Sequence, residues 1–257
     1  PIIGCIVLFG MITAVTGNFN LSVIISAAKL CTFALLLGLG QMIVVTSGDG
    51  AIDLSQKYIL TLAAYVSCTV MTKNILLGLA ASVLIGAVCG GLSACVNVFL
   101  KVPAMITTLA TGYLFYTVIL VVSSKWSSIP AKGFVNFVNK NVFGINMMTI
   151  ICIAVAVLLW FLLYRTKYGK NLHAVGQKRE AARLAGINVR KTVIIAFVIN
   201  GALCGLAGAM AGAYCGGANQ DLGTTYFLPS VAAAFVGGTN AAGGKSSVVG
   251  VSIGALM

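Results

Sequence analysis

Long apolar runs separated by short polar interruptions organise this chain. They cover approximately 1–17, 30–48, 58–72, 74–100, 102–124, 148–164, 192–216 and 222–244, with a further run over 246–257. A helix needs roughly 20 apolar residues to cross a bilayer, and most of these runs approach that length. Stretches such as IICIAVAVLLWFLLY (150–164) are continuously apolar and lack the in–out alternation of a membrane-barrel strand. Lipid offers the backbone no hydrogen-bond partners, so helices, which satisfy their own amides, are the expected spans. The pattern predicts an all-α polytopic transmembrane bundle of about eight to ten helices, some broken or re-entrant, in one domain over 1–257.

Small residues refine that picture. LLGLAASVLIGAVCGGLSACVNVF (76–99) carries Gly78, Gly86, Gly90 and Gly91. NGALCGLAGAMAGAYCGG (200–217) carries Gly201, Gly205, Gly208 and Gly212. Spacings of three and four put these glycines on one helix face, where they permit close backbone approach. They predict tight packing and no chemistry.

Composition agrees with a membrane solvent. Only 8% of residues are charged and mean hydropathy is +1.06, whereas a soluble domain carries about 25% charge. The four acids are Asp49, Asp53, Glu180 and Asp221. The net charge of +12 does not indicate nucleic acid, because eight of the sixteen Lys/Arg crowd into 165–191 between apolar runs. The positive-inside rule places that loop in the cytoplasm. The stretch KWSSIPAKGFVNFVNKNVFGINM (125–147) then lies outside. Eight scattered cysteines without a CxxC, and a lone His173, predict neither metal ligation nor a disulfide framework. Pro1 at the start and an apolar run at the end are what the core of a longer protein would show.

Four segments are candidates for function. KREAARLAGI (178–187) comprises Lys178, Arg179, Glu180, Ala181, Ala182, Arg183, Leu184, Ala185, Gly186 and Ile187. Alanine and leucine favour a short helix and Gly186 would end it. The pattern predicts a short helix lying parallel to the membrane on the cytoplasmic side, as an interfacial anchor would. In TSGDGAIDLSQ (46–56), Gly48 and Gly50 break a helix beside Asp49 and Asp53. Asp53 would cap the next helix or, with Ser55, take a solute hydroxyl. VGGTNAAGGKSS (236–247) is a re-entrant turn, or a display of amides at Gly237, Gly238, Thr239 and Asn240 for a polar solute. It faintly echoes 41–56, as an internal repeat would. TTLATGYLFYTV (107–118) sets Thr107, Thr108, Thr111 and Tyr113 at helical spacing, either packed or lining a path.

Several of these stretches resemble one family. EAARLAGINVRK after RTKYGKNLHAVGQ, GDGAIDLS (48–55), VPAMITTLAT (102–111) and LPSVAAAFVGGTNAAGGKSSVVGVSIGAL (228–256) resemble, in order, segments of ABC-importer permeases of the ribose and simple-sugar branch. The resemblance implies a type II-like permease fold in a bacterial cytoplasmic (inner) membrane. It implies a second permease subunit, identical or not, cytosolic ATPase subunits, and an external substrate-binding protein. Residues 178–187 match the coupling helix that docks on the ATPase. ATP and Mg would reside on the partners, with no cofactor on this chain and no enzymatic activity of its own. No G-x-x-x-x-G-K-[ST] is present. The chain departs from the family's pattern by an extra residue near Asp49 and by Lys57 where glycine is usual. Lys57 is placed to pair with Asp49 or Asp53, which leaves room for an anionic or altered sugar. The competing expectation is an ion-coupled secondary transporter of a small polar solute, which also uses broken helices.

Overall fold

The structure, a computed structural model, describes residues 21–142 and 145–257. The apolar run at 1–17 lies outside them. The helices are α1 (Leu21–Thr46), α2 (Gln56–Met71), α3 (Ile75–Leu100), α4 (Ala104–Ser123), α5 (Lys132–Asn139), α6 (Met147–Arg165), α7 (Lys167–Gln177), α8 (Arg179–Leu184), α9 (Val189–Tyr214), α10 (Thr224–Val236) and α11 (Val248–Leu256). Among the described residues, α3, α4, α6 and α9 are long and apolar enough to cross a membrane, and α10 is a shorter apolar helix. The bundle is therefore helical and polytopic, as the apolar runs predict.

Its helices bury small and polar residues and expose large apolar ones. α3 turns Gly78, Ser82, Gly86, Cys89, Gly90 and Ser93 inward, while Leu76, Leu84, Val88, Leu92 and Phe99 face out. In water this would be inside out. In lipid it is stable, because contact among helices comes from close packing and not from hiding leucine. The glycines set the α3–α9 crossing. A Cβ on Gly201 would run into the Gly86 carbonyl, and one on Gly90 into that of Phe197. α9 is the hub, with 67% of its most apolar window buried against 22% for α6.

Polar residues start the helices. Asn74 caps α3, Asn146 caps α6, Thr166 caps α7, Asn188 caps α9 and Ser247 caps α11, each accepting from an amide of the first turn. The stretch expected as an external loop holds α5 and a two-stranded hairpin, β1 (Asn141–Val142) with β2 (Ile145–Asn146). α5 seats Phe134 and Val138 in the core. At the other end, where the Lys/Arg cluster lies, α7 and α8 form in a region read from sequence as loop with one short helix.

Candidate functional site

The break after α1 is built from three left-handed residues in succession. Gly48, Asp49 and Gly50 have φ of 89°, 57° and 60°. Glycine adopts this conformation freely, and aspartate is among the few side chains that tolerate it. The Ala51 amide closes a turn onto the Gly48 carbonyl, Ala51–Asp53 take no regular structure, and the chain turns into α2.

Asp53 is fully buried. Its Oδ1 accepts from the Ser55 amide at 2.9 Å and the Ser55 hydroxyl at 2.5 Å. Its Oδ2 accepts from Asn200 Nδ2 at 2.7 Å. Ser55, not Asp53, occupies the N-cap of α2, and its side chain makes no capping bond. Asp53 instead closes the Asx-type turn leading into the helix. The network extends through Gln56, whose Nε2 donates to Asn200 Oδ1 at 3.0 Å and to the Leu37 carbonyl at 2.8 Å. Ser230 on α10 donates to Gln56 Oε1 at 3.3 Å. One buried cluster thus joins α1, the break, α2, α9 and α10. Buried polar groups are tolerated when their partners are supplied, as they are here.

Thr108 holds the break in place, and Thr111 ties α4 to α3. Thr108 Oγ1 accepts from the Leu54 amide at 3.0 Å and lies 3.2 Å from the Ile52 carbonyl. Thr111 pairs with Ser93 at 2.8 Å. Both are buried. Lys57 pairs with neither Asp49 nor Asp53. Its ammonium sits 4.8 Å over the Tyr58 ring. Tyr58 in turn gathers Tyr113 and Tyr116, with ring centroids at 6.0 and 5.4 Å. Tyr113 is exposed, and Lys57, Tyr58 and Tyr116 are half-buried. This partly open tyrosine wall with a cation begins at Lys57, directly after the buried Gln56.

Asp49 turns the other way. Its Oδ2 lies 2.7 Å from Arg179 Nη1, the one ion pair among the described residues. Arg179 opens α8, whose end is a Schellman motif. Gly186 has φ 80°, its amide meets the Arg183 carbonyl, and the Ile187 amide meets that of Ala182, each at 3.0 Å. Ala182 packs with Val175 and Val193, with Ile187 against them. It therefore belongs to the seat of α8, while Ala181 and Leu184 face outward. Glu180, Ala181, Arg183 and Ala185 are exposed, and Leu184 is 91% exposed. Lys178 precedes the helix in extended backbone.

Glycines bolt α7 to both irregular segments. A Cβ on Gly176 would strike the Thr46 carbonyl and the Gly244 amide, and one on Gly243 would strike Gly48. The Gly244 amide donates to the Thr46 carbonyl at 3.1 Å, and His173 Nδ1 lies 3.2 Å from the Gly244 carbonyl. The segments 46–56 and 236–247, linked in sequence only by a faint echo, therefore touch. The amides expected to greet a solute at 237–240 are taken up internally. Those of Gly237, Gly238 and Thr239 close α10, and that of Asn240 donates to the Lys245 carbonyl. No group of three metal-ligating side chains exists among the described residues.

Sequence reasoning missed Asn200, Gln56, Ser230, Tyr58 and Tyr116. Asn200 carried a usable signal: it is an amide side chain in the middle of an apolar span, where polar groups are costly and usually pair with one another. The other partners become visible only when helices distant in sequence are brought together.

Apolar helices around a broken segment, with a charged helical protrusion at one end, make a membrane permease. The chain belongs to the family described as branched-chain amino acid transport system / permease component, whose model matches residues 23–257. It is 32% identical over 226 residues to the D-allose transport system permease protein AlsC of Escherichia coli K12, covering 86% of this chain and 69% of that protein. It is 27% identical over 261 residues to the autoinducer 2 import system permease protein LsrD of Yersinia pseudotuberculosis serotype O:1b, covering 98% of this chain and 77% of that one. LsrD of Photorhabdus luminescens is also 27% identical, over 262 residues. No solved structure matches the chain. The ABC-importer permease expected from the motifs is thus the class these findings show, and nothing in them supports the ion-coupled alternative.

Proposed function

We propose that this chain is the permease through which an ATP-driven importer passes a sugar or sugar-like solute across a bacterial cytoplasmic membrane. Its relatives are named for D-allose and autoinducer 2 import, which supports a small, oxygen-rich cargo. ATP and Mg²⁺ act on separate cytosolic ATPase subunits, an external binding protein delivers the solute, and a second permease subunit completes the pathway. The 165–191 stretch is the cytoplasmic end, and Lys178–Ile187 is the coupling segment.

One observation carries the mechanism: the same nine-residue break (47–55) is bonded to α8 through Asp49–Arg179 and to the centre of α9 through Asp53–Asn200. The exposed face of α8, with Leu184 at its tip, offers an ATPase groove an apolar contact flanked by Glu180 and Arg183. Ala182 keeps α8 seated on the membrane body, so it moves as a rigid handle with α7. The Gly48–Gly176–Gly243 junction passes that displacement to the ends of α1 and α10. The break then shifts against α9, and the wall of Lys57, Tyr58, Tyr113 and Tyr116 moves with the start of α2. Packed elements of this kind switch between discrete arrangements and do not bend continuously. Thr108 guides the break, Thr111 fixes α4 to α3 through Ser93, and the capped turn at Gly237, Gly238, Thr239 and Asn240 forms its counterpart across the junction.

The tyrosine wall suits a sugar, whose C–H face lies on aromatic rings while its hydroxyls meet Lys57. Tyr113→Ala should lower uptake several-fold, chiefly by raising the half-saturating solute concentration at unchanged assembly. Radiolabelled uptake over a solute range checks this, and unchanged kinetics would move the solute elsewhere. The proposal itself is tested in proteoliposomes holding the permease with its second permease subunit and ATPase, with the binding protein and solute supplied outside. Uptake should require ATP and survive collapse of ion gradients. Uptake driven by a proton or sodium gradient without ATP would refute it.

A further inference from the structure

At the basic end, a cavity of about 350 Å³ opens between the α3–α4 turn and the starts of α8 and α9. Its lining includes Lys101, Arg179 and Arg190, against the single carboxylate of Asp49. Asp49 neutralises Arg179, and neither Lys101 nor Arg190 has an ion-pair partner among the described residues. Arg179 Nε is buried in the structure with no hydrogen-bond acceptor. The cavity therefore holds two uncompensated cations and an unmet donor. Lys101 ends α3 with φ 55°, a left-handed position where glycine is the usual occupant. The chain accepts that conformation with a lysine at the cavity's edge.

The surroundings identify the anion. The turn is flanked by exposed apolar side chains: Phe99 and Leu100 at the end of α3, Met105 and Ile106 at the start of α4. A cationic cavity at the membrane boundary beside exposed apolar surface matches a phosphate head with acyl chains attached. Basic pockets between membrane helices on the cytoplasmic side take anionic lipid headgroups in this way. A free phosphate would leave the apolar flank unused. We propose that Lys101, Arg190 and the Arg179 Nε–H form a binding site for the phosphate of an anionic phospholipid of the inner leaflet. The lipid would wedge the α3–α4 turn against α9 beside the Asp49–Arg179 pair. The site is separate from the solute wall, and the reading does not depend on which solute is carried.

The test is native mass spectrometry of the full-length permease with its ATPase, titrated with phosphatidylglycerol, phosphatidylcholine or inorganic phosphate. Phosphatidylglycerol should be retained about tenfold or more over phosphatidylcholine, in keeping with two added surface cations. Lys101→Gln with Arg190→Gln should erase that preference, and Lys101→Arg with Arg190→Lys should keep it. Inorganic phosphate should fail to displace the lipid at equal concentration. Equal retention of both lipids, a preference that survives the Gln pair, or displacement by inorganic phosphate would each overturn the proposal. Should the Gln pair fail to assemble, a photoactivatable phosphatidylglycerol on the wild-type complex decides. Adducts within 97–106 or 189–193 uphold the site, and adducts confined elsewhere reject it.

Discussion

Asp53→Asn is expected to abolish uptake, and Asp53→Asn combined with Asn200→Asp to restore a large part of it. In the wild type, three donors converge on the Asp53 carboxylate: the Ser55 amide, the Ser55 hydroxyl and Asn200 Nδ2. Asparagine at 53 keeps one acceptor for Ser55 but turns an amide N–H toward the Asn200 N–H. Two buried donors then face each other, and each unsatisfied group costs about 1–3 kcal/mol. Turning Asn200 over would relieve that clash but break its bond from Gln56 Nε2, which needs the Asn200 oxygen. The reciprocal exchange repairs both contacts. A carboxylate placed at position 200 would accept from the new amide at position 53 on one oxygen and from Gln56 on the other. Asn200→Leu has no such remedy. It takes Asn200 Nδ2 from the Asp53 carboxylate and the Asn200 oxygen from Gln56 Nε2, and at about 1–3 kcal/mol for each group left unsatisfied it should lower the yield of folded protein. Uptake together with monodisperse yield in detergent checks the series. A single exchange that transports normally, or a double exchange no better than the singles, would show that the Asp53–Asn200 contact is incidental.

The second large effect belongs to Gly176. Replacing it with alanine drives a methyl group into the Thr46 carbonyl and the Gly244 backbone, all main-chain atoms that cannot rotate away. Overpacking of this kind typically costs about 1–3 kcal/mol and moves backbone. The displaced contacts are those that carry α7 and α8 against the ends of α1 and α10. The outward face of α8 is untouched, so the ATPase should still bind and hydrolyse ATP. Uptake per ATP should fall at least about tenfold, since a change of about 1.4 kcal/mol in a coupling equilibrium already gives that factor. Coupled uptake equal to wild type would mean that motion does not pass through this junction. Loss of ATPase association would assign Gly176 a part in docking.

Much of the fold was legible because lipid imposes one-dimensional rules. The runs at 74–100, 102–124 and 148–164 became α3, α4 and α6 with ends shifted by one or two residues. The run at 222–244 was overread: α10 stops at Val236, since Gly238 takes φ 87° and closes it. α7 escaped because KYGKNLHAVGQ mixes charge and glycine and shows no apolar run, although Leu172 and Val175 seat it. The short helix within 178–187 was readable from local chemistry, and its close at Gly186 follows from the glycine there. The polar cluster was not readable. Its defining contacts join residues 144 and 147 apart, and no local pattern says that an asparagine in α9 faces an aspartate before α2. Nor does the sequence say that the two aspartates of the break go to different partners. A left-handed turn at 48–50 separates them, sending Asp49 to α8 and Asp53 to α9.

On this account an energy-supplying partner grips the chain at α8. A photo-crosslinking amino acid at position 184, introduced into the full-length permease in cells with its native partners, tests it directly. Irradiation should yield one dominant adduct with a cytosolic ATP-hydrolysing subunit, and a membrane-impermeant reagent applied from outside should not reach the same position. Adducts with lipid alone, or labelling from the outer face, would contradict it.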